Sequence, residues 1–149
     1  MKDRYGMLTV RTDSRTCIVM LDRPAKFNAL TYQFWTDLLD LLSDAADDAE
    51  VRVLVLHGAG EHFCAGGDIG AFASAGDSMP ALLKEMTTYL HAANSLFARC
   101  RAPMVAGIGG TAAGAGFSLA ASADLVVASE SARFTMAYTQ VGLTPDGSS

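Results

Sequence analysis

Two glycine-rich stretches carry the backbone chemistry that this sequence offers. The first, CAGGDI (Cys64–Ile69), leaves the apolar run VRVLVLHGAG, and the second, GIGGTAAGAG (107–116), leaves MVAGI. Glycine permits backbone angles closed to other residues and lets a ligand approach peptide N–H groups closely. Such N–H groups, freed at a strand end or a helix N-terminus, attract negative charge. One loop of this kind reads as a tight turn. Two of them, each feeding an element that starts with small residues, point to a paired-donor site of the oxyanion-hole type.

Competing chemistries fit less well. Gly107, Gly109 and Ala112 satisfy a relaxed G-x-G-x-x-A dinucleotide pattern. That pattern needs an acidic residue about 20 positions on, at the end of the next strand. Asp124 precedes that strand, which leaves only Glu130, in SESAR. A serine nucleophile elbow fails because Gly116-Phe117-Ser118-Leu119-Ala120 lacks its second glycine. His57, His62 and His91 have no metal-pair spacing. Asp124 is expected to cap or anchor a strand start and Glu130 to lie in solvent. On composition alone, Asp146 in GLTPDG belongs to a Pro-Asp-Gly turn.

The elements that must position these loops follow from periodicity. MLTVRT and TCIVMLD flank DSR as an opening hairpin. After Thr31, an N-cap residue, Phe34, Trp35, Leu38, Leu39, Leu42 and Ala46 mark an amphipathic helix of about four turns. VRVLVLH is too continuously apolar for a half-exposed strand, so it is predicted to be covered on both faces. FASAGDSMP reads as a loop whose Ser78 and Pro80 start a second helix carrying Leu82, Leu83, Met86, Tyr89, Leu90, Ala93 and Leu96. MVAGI and DLVVAS read as strands either side of a Gly-rich turn and a small-residue helix. Alternating strands and helices imply an α/β layered fold.

With 149 residues, half of them apolar and 18% charged, one core and one domain (1–149) are expected. A net charge of −5 without a Lys/Arg cluster disfavours nucleic acid and anionic membranes. The uncharged stretch between Arg101 and Asp124 is dominated by small residues, hence buried backbone rather than a membrane span. Cys17, Cys64 and Cys100 form no C-x-x-C pair, which predicts reduced thiols in a cytoplasmic protein. No apolar leader region is visible in MKDRYGMLTV. The abrupt close on Gly-Ser-Ser suggests a chain cut short.

LDRPAKFNAL, VRVLVLHGAGEHFCAGGDI, APMVAGIGGTAAGAGFSLAASADLVVASESARF and VGLTPDG, in order from about residue 7 to the end, closely resemble the crotonase (enoyl-CoA hydratase/isomerase) superfamily. The resemblance overrides the dinucleotide reading. It implies a spiral of β-β-α units, here the N-terminal core only, without the C-terminal helices through which members assemble as trimers or hexamers. It implies a coenzyme A thioester as substrate, with no permanently bound cofactor and no metal. Two backbone N–H groups would hold the thioester oxygen, at Ala65 and Ala115, and Ala115 stands where the family usually has glycine. Lys26 would contact the CoA phosphates, and Gly66, Gly67, Asp68 and Ile69 would lie along the bound ester. Removing a proton beside a thioester builds charge on its oxygen, and one fixed donor there is worth about 3 kcal/mol.

Hydratases in this superfamily use two glutamates to hold and activate water; the matching positions here are Ser118 and Tyr138. Water addition is thereby demoted. A subset resembling bacterial ring-epoxide and 3-enoyl-CoA isomerases has an aspartate where this chain has Asp146. One carboxylate there suffices to move a double bond, and its pKa is expected to be raised by burial. The same aspartate attacking carbon, as in aroyl-CoA dehalogenases, is a more distant reading. Phe117, Met136 and Tyr138 would either wall the acyl pocket or simply pack the core. A hydratase and an acyl-CoA-binding relative without turnover stand as alternatives.

Overall fold

The computed structural model describes residues 2–145 and Gly147. The chain opens with β1 (Arg4–Tyr5), β2 (Leu8–Asp13) and β3 (Thr16–Leu21). β2 and β3 form the expected hairpin, with Asp13 opposite Thr16 and Ser14 left-handed at the turn (φ 55°). α1 (Tyr32–Asp47) is capped by Thr31, whose hydroxyl accepts from the Phe34 N–H at 3.3 Å. Its buried stripe runs through Phe34, Trp35, Leu38, Leu41, Leu42 and Ala45, so Leu41 and Ala45 take the core places expected of Leu39 and Ala46.

β4 (Val53–Gly58) is central and parallel to its neighbours. It leads through α2 (Ile69–Ala75) and α3 (Met79–Phe97) to β5 (Met104–Ile108), then β6 (Thr111–Ala113), α4 (Ala115–Ala121), β7 (Leu125–Ala128) and β8 (Arg133–Thr135). The main sheet has the order β1-β2-β3-β4-β5-β7, and β6 pairs with β8 in a separate two-stranded sheet. Parallel neighbours need crossover helices, which is why α1 joins β3 to β4 and α2 with α3 joins β4 to β5. The core is shared by these helices and the sheet, with Val19, Leu38, Leu42, Leu54, Leu56, Phe97 and Met104 all buried.

Two segments differ from expectation. The stretch predicted as a loop from Phe72 contains most of α2, a seven-residue helix with no buried residue and hence no periodic stripe to read. β6 and β8 pair in parallel across a gap in sequence, and at three residues each they have no alternation to betray them. Asp124 does anchor a strand start: its carboxylate accepts from the Met104 N–H at 2.7 Å, at the head of β5. The α/β layering expected from the motifs is the one observed.

Candidate functional site

The loop after β4 is shaped by the segment before α1. Arg23 donates to the Ala29 carbonyl at 2.7 Å and to the Asp68 carboxylate at 2.9 Å. Residues 27–30 then run beside 65–68: the Ala65 N–H donates to the Phe27 carbonyl (3.0 Å), Leu30 N–H to the Gly66 carbonyl (2.8 Å), and Asp68 N–H to the Leu30 carbonyl (2.9 Å). The Gly66 N–H is directed at the Cys64 sulfur, 3.4 Å away. Gly67 sits among these paired amides, and its own N–H has no acceptor among the described residues.

The second glycine loop is hung from the first. Cys64 N–H donates to the Thr111 carbonyl (3.0 Å) and Ala113 N–H to the Cys64 carbonyl (2.9 Å), and the Gly114 N–H reaches the Thr135 carbonyl of β8 (2.9 Å). The N–H of Ala115, the first residue of α4, has no acceptor among the described residues. The loops meet at Gly66, where φ is 94°. A methyl group there would lie 2.8 Å from the Ala113 carbonyl oxygen and 3.6 Å from the Ala115 nitrogen, a contact only glycine allows.

Both unpartnered amides open on a cavity of about 350 Å³. Its walls include Leu30, Trp35, Phe72, Leu83, Met86 and Leu90 together with Ala137, Tyr138, Val141 and Leu143. Among the described residues, its lining contains no Asp, Glu, His, Lys or Arg. Tyr138 of this lining meets Ser118, the other position singled out by motif, which is not itself part of the lining: their hydroxyls are 2.9 Å apart and both residues are buried. Gly147 packs directly on them, since a methyl group at that position would fall 2.4 Å from Ser118 Oγ and 3.5 Å from the Tyr138 hydroxyl.

The other predicted site residues sort by geometry. Ala65, Gly66, Gly67, Ile69, Ala115 and Tyr138 line the cavity. The hydrogen bond to Phe27 takes the Ala65 N–H out of the set of unpartnered donors, leaving Gly67 as the available amide on that loop, a residue the motif alone did not single out as the donor. Asp68 is occupied structurally. Its carboxylate caps α2 through the Ala71 N–H at 3.1 Å and pairs with Arg23, which holds it below the usual carboxylate range. Lys26 is exposed at the end of a short 3₁₀ turn and does not line the cavity. Phe117 and Met136 are also outside the lining, and Phe117 stacks edge-on with Phe134, centroids 5.9 Å apart. Asp146, with its expected pKa elevation, lies outside the described residues. Burial pushes the Cys64 thiol up to about 12, so it stays a neutral acceptor beneath the loop.

No helix of the described residues is long and apolar enough to cross a membrane. Taken together, the fold and site define an α/β protein that presents two backbone donors at the mouth of an apolar cavity. The chain belongs to the enoyl-CoA hydratase/isomerase family, whose model matches residues 11–149. Among relatives, it is 39% identical over 142 residues to a probable enoyl-CoA hydratase of Rhodobacter capsulatus, covering 95% of this chain and 53% of that protein. It is 33% identical over 127 residues to the 1,2-epoxyphenylacetyl-CoA isomerase of Escherichia coli K12, covering 85% and 48%. The crystal structure of an enoyl-CoA hydratase from Polaromonas sp. JS666 superposes with a TM-score of 0.89 at 34% identity, covering 95% and 55%. The chain thus spans about half the length of the relatives it matches.

Proposed function

We propose that this protein binds an enoyl-CoA thioester with its carbonyl oxygen on the amides of Gly67 and Ala115, and moves a 3-enoyl double bond to the 2-position. The observation that carries this reading is the pair of unpartnered amides beside a cavity whose described lining holds no ionised side chain. Fixed N–H donors in an apolar site stabilise the charge that develops when a proton leaves C2 of the acyl group. Asp146 is the proposed proton carrier: its carboxylate takes the C2 proton, the electron pair shifts through the dienolate, and the proton is returned at C4. Support for this assignment is that the neighbouring Gly147 packs on Ser118, whose hydroxyl is 2.9 Å from that of Tyr138, a residue of the cavity wall. A neutral hydroxyl pair there offers no base to activate water at neutral pH, so hydration is the lesser activity. The names of the Rhodobacter and Polaromonas proteins favour hydration as the second reading.

Product analysis in deuterated water tests both. A 3-enoyl-CoA is expected to give its conjugated isomer, with little 3-hydroxyacyl-CoA from either the 3-enoyl or the 2-enoyl ester. Asp146→Asn should remove isomerisation while acyl-CoA binding persists. Efficient hydration, or full isomerase turnover by Asp146→Asn, overturns the assignment. Binding of both esters with no turnover of either supports the binding-protein reading.

A further inference from the structure

Asn28 is among the few buried polar side chains of the described residues, with 2% of its surface exposed, and the chemistry above makes no use of it. Its carboxamide is fully engaged. Nδ2 donates to the Ala59 carbonyl at 2.9 Å and the His62 carbonyl at 2.8 Å, and Oδ1 accepts from the Arg23 N–H at 2.9 Å. These three bonds tie the 23–30 segment to the turn that follows β4. The fit is close: a methyl group on Gly58 would stand 2.8 Å from Nδ2 and 2.3 Å from the His62 carbonyl oxygen.

The backbone explains why asparagine stands here. Phe27 and Asn28 are consecutive left-handed residues, φ 52° and 55°. Asparagine tolerates that conformation better than most residues, and only a carboxamide supplies two donors and an acceptor on one short side chain. The reversal of chain direction brings the Phe27 carbonyl to the Ala65 N–H and aligns Leu30 with Gly66 and Asp68. His62 extends the same tie to the other loop, because its Nδ1 accepts from the Thr111 N–H at 3.2 Å.

We propose that Asn28 is a positioning residue for the Gly67 amide: by locking segment 23–30 in place, it fixes which amides of the 65–68 loop are spent on protein and which one is left for a ligand. Its catalytic consequence rests on the acyl-CoA reading above, whereas its hold on the loop does not. Donors of this kind act through placement, and a displacement of about 1 Å costs on the order of 10²-fold in rate.

Asn28→Gly is the informative variant, since glycine accepts the left-handed backbone and deletes only the clamp. Leu41→Ala in the α1 core serves as a destabilised control, each protein being studied at the same interval below its own Tm. Hydrogen exchange, measured without ligand, is expected to accelerate at Ala65 and Asp68 in Asn28→Gly and to stay unchanged there in Leu41→Ala. With a conjugated aryl-enoyl-CoA as probe, the red shift that reports a polarised thioester is expected to be lost in Asn28→Gly. Its kcat for isomerisation should drop at least tenfold with KM within about twofold of the parent. Exchange at Ala65 and Asp68 that does not change, or that rises equally in Leu41→Ala, overturns the proposal. A parent protein that shifts no acyl-CoA chromophore defeats the acyl-CoA reading instead, and the exchange result still decides the role of Asn28. If Asn28→Gly does not fold, Asn28→Asp, which keeps the acceptor for Arg23 and loses the two amide donors, is read by the same exchange measurement.

Discussion

At Gly66 the demands on one residue are plain, because its φ of 94° and the Ala113 carbonyl 2.8 Å from a would-be Cβ both exclude a side chain. Gly66→Ala must push the two loops apart at the point where their unpartnered amides converge. Its isomerase kcat is expected to fall on the order of 10²-fold, as for loss of an oxyanion donor, with a lower Tm; a variant with the parent's rate would show that the loops need not meet so closely. Cysteine reactivity offers an independent check on this packing. Burial raises Cys64 to about 12 and Cys17 to about 11, while Cys100 is only half-buried. Thiolate is the reactive form, so a native titration with a disulfide reagent should find Cys100 alone reacting promptly, with the other two appearing only in denaturant. Fast reaction of Cys64 in the native state would mean that the loop above it opens readily.

Among the elements, α2 shows how a charge serves both helix and loop. Asp68 caps it and pairs with Arg23, and the pairing depresses its pKa. A carboxylate with a lowered folded pKa binds fewer protons in the native state than in the unfolded one. Its contribution is therefore complete above the ordinary carboxylate pKa, about 3.9, and is lost as pH falls through the lower folded value. Asn is an equally good cap, so Asp68→Asn isolates the ion pair. It should be less stable at pH 7 by the low end of about 1.5–3 kcal/mol, and denaturant midpoints should converge with the parent's below roughly pH 4. A gap that does not narrow as pH falls below that value would assign the loss to packing. Most elements were legible because their physics is local: Thr31 and the stripe after it announce α1, and unbroken apolar runs announce β4 and β5. α2, β6 and β8 were not, since a seven-residue helix without a buried face and two three-residue strands leave no period to read. The site was legible to the level of the loop and no further. Which amide of CAGGD is spent depends on the Phe27 carbonyl, brought there by a left-handed pair that nothing in the local sequence of the loop records.

The molecule as a whole carries its apolar surface unevenly. Among the described residues β7 is paired only with β5, at the edge of the main sheet, and all four of its residues are exposed, Leu125 to 63% and Val127 to 66%. Phe134 on β8 and Val141 in the turn beyond add 45% and 49%. An edge strand with unpaired backbone groups and apolar side chains is a template for association, and a net charge of −5 opposes it only at a distance that salt shortens. The 149-residue chain is therefore expected to self-associate at concentrations of tens of micromolar and above, more strongly as salt rises. Leu125 and Val127 share one face of the strand by alternation, so Leu125→Lys with Val127→Lys puts two like charges on it. Sedimentation velocity should find that double variant monomeric where the parent is not, with the far-UV circular dichroism unchanged. If both sediment as monomers over that range at high salt, the edge is not adhesive, and the exposed strand is tolerated because its four residues are too few to seed a second sheet.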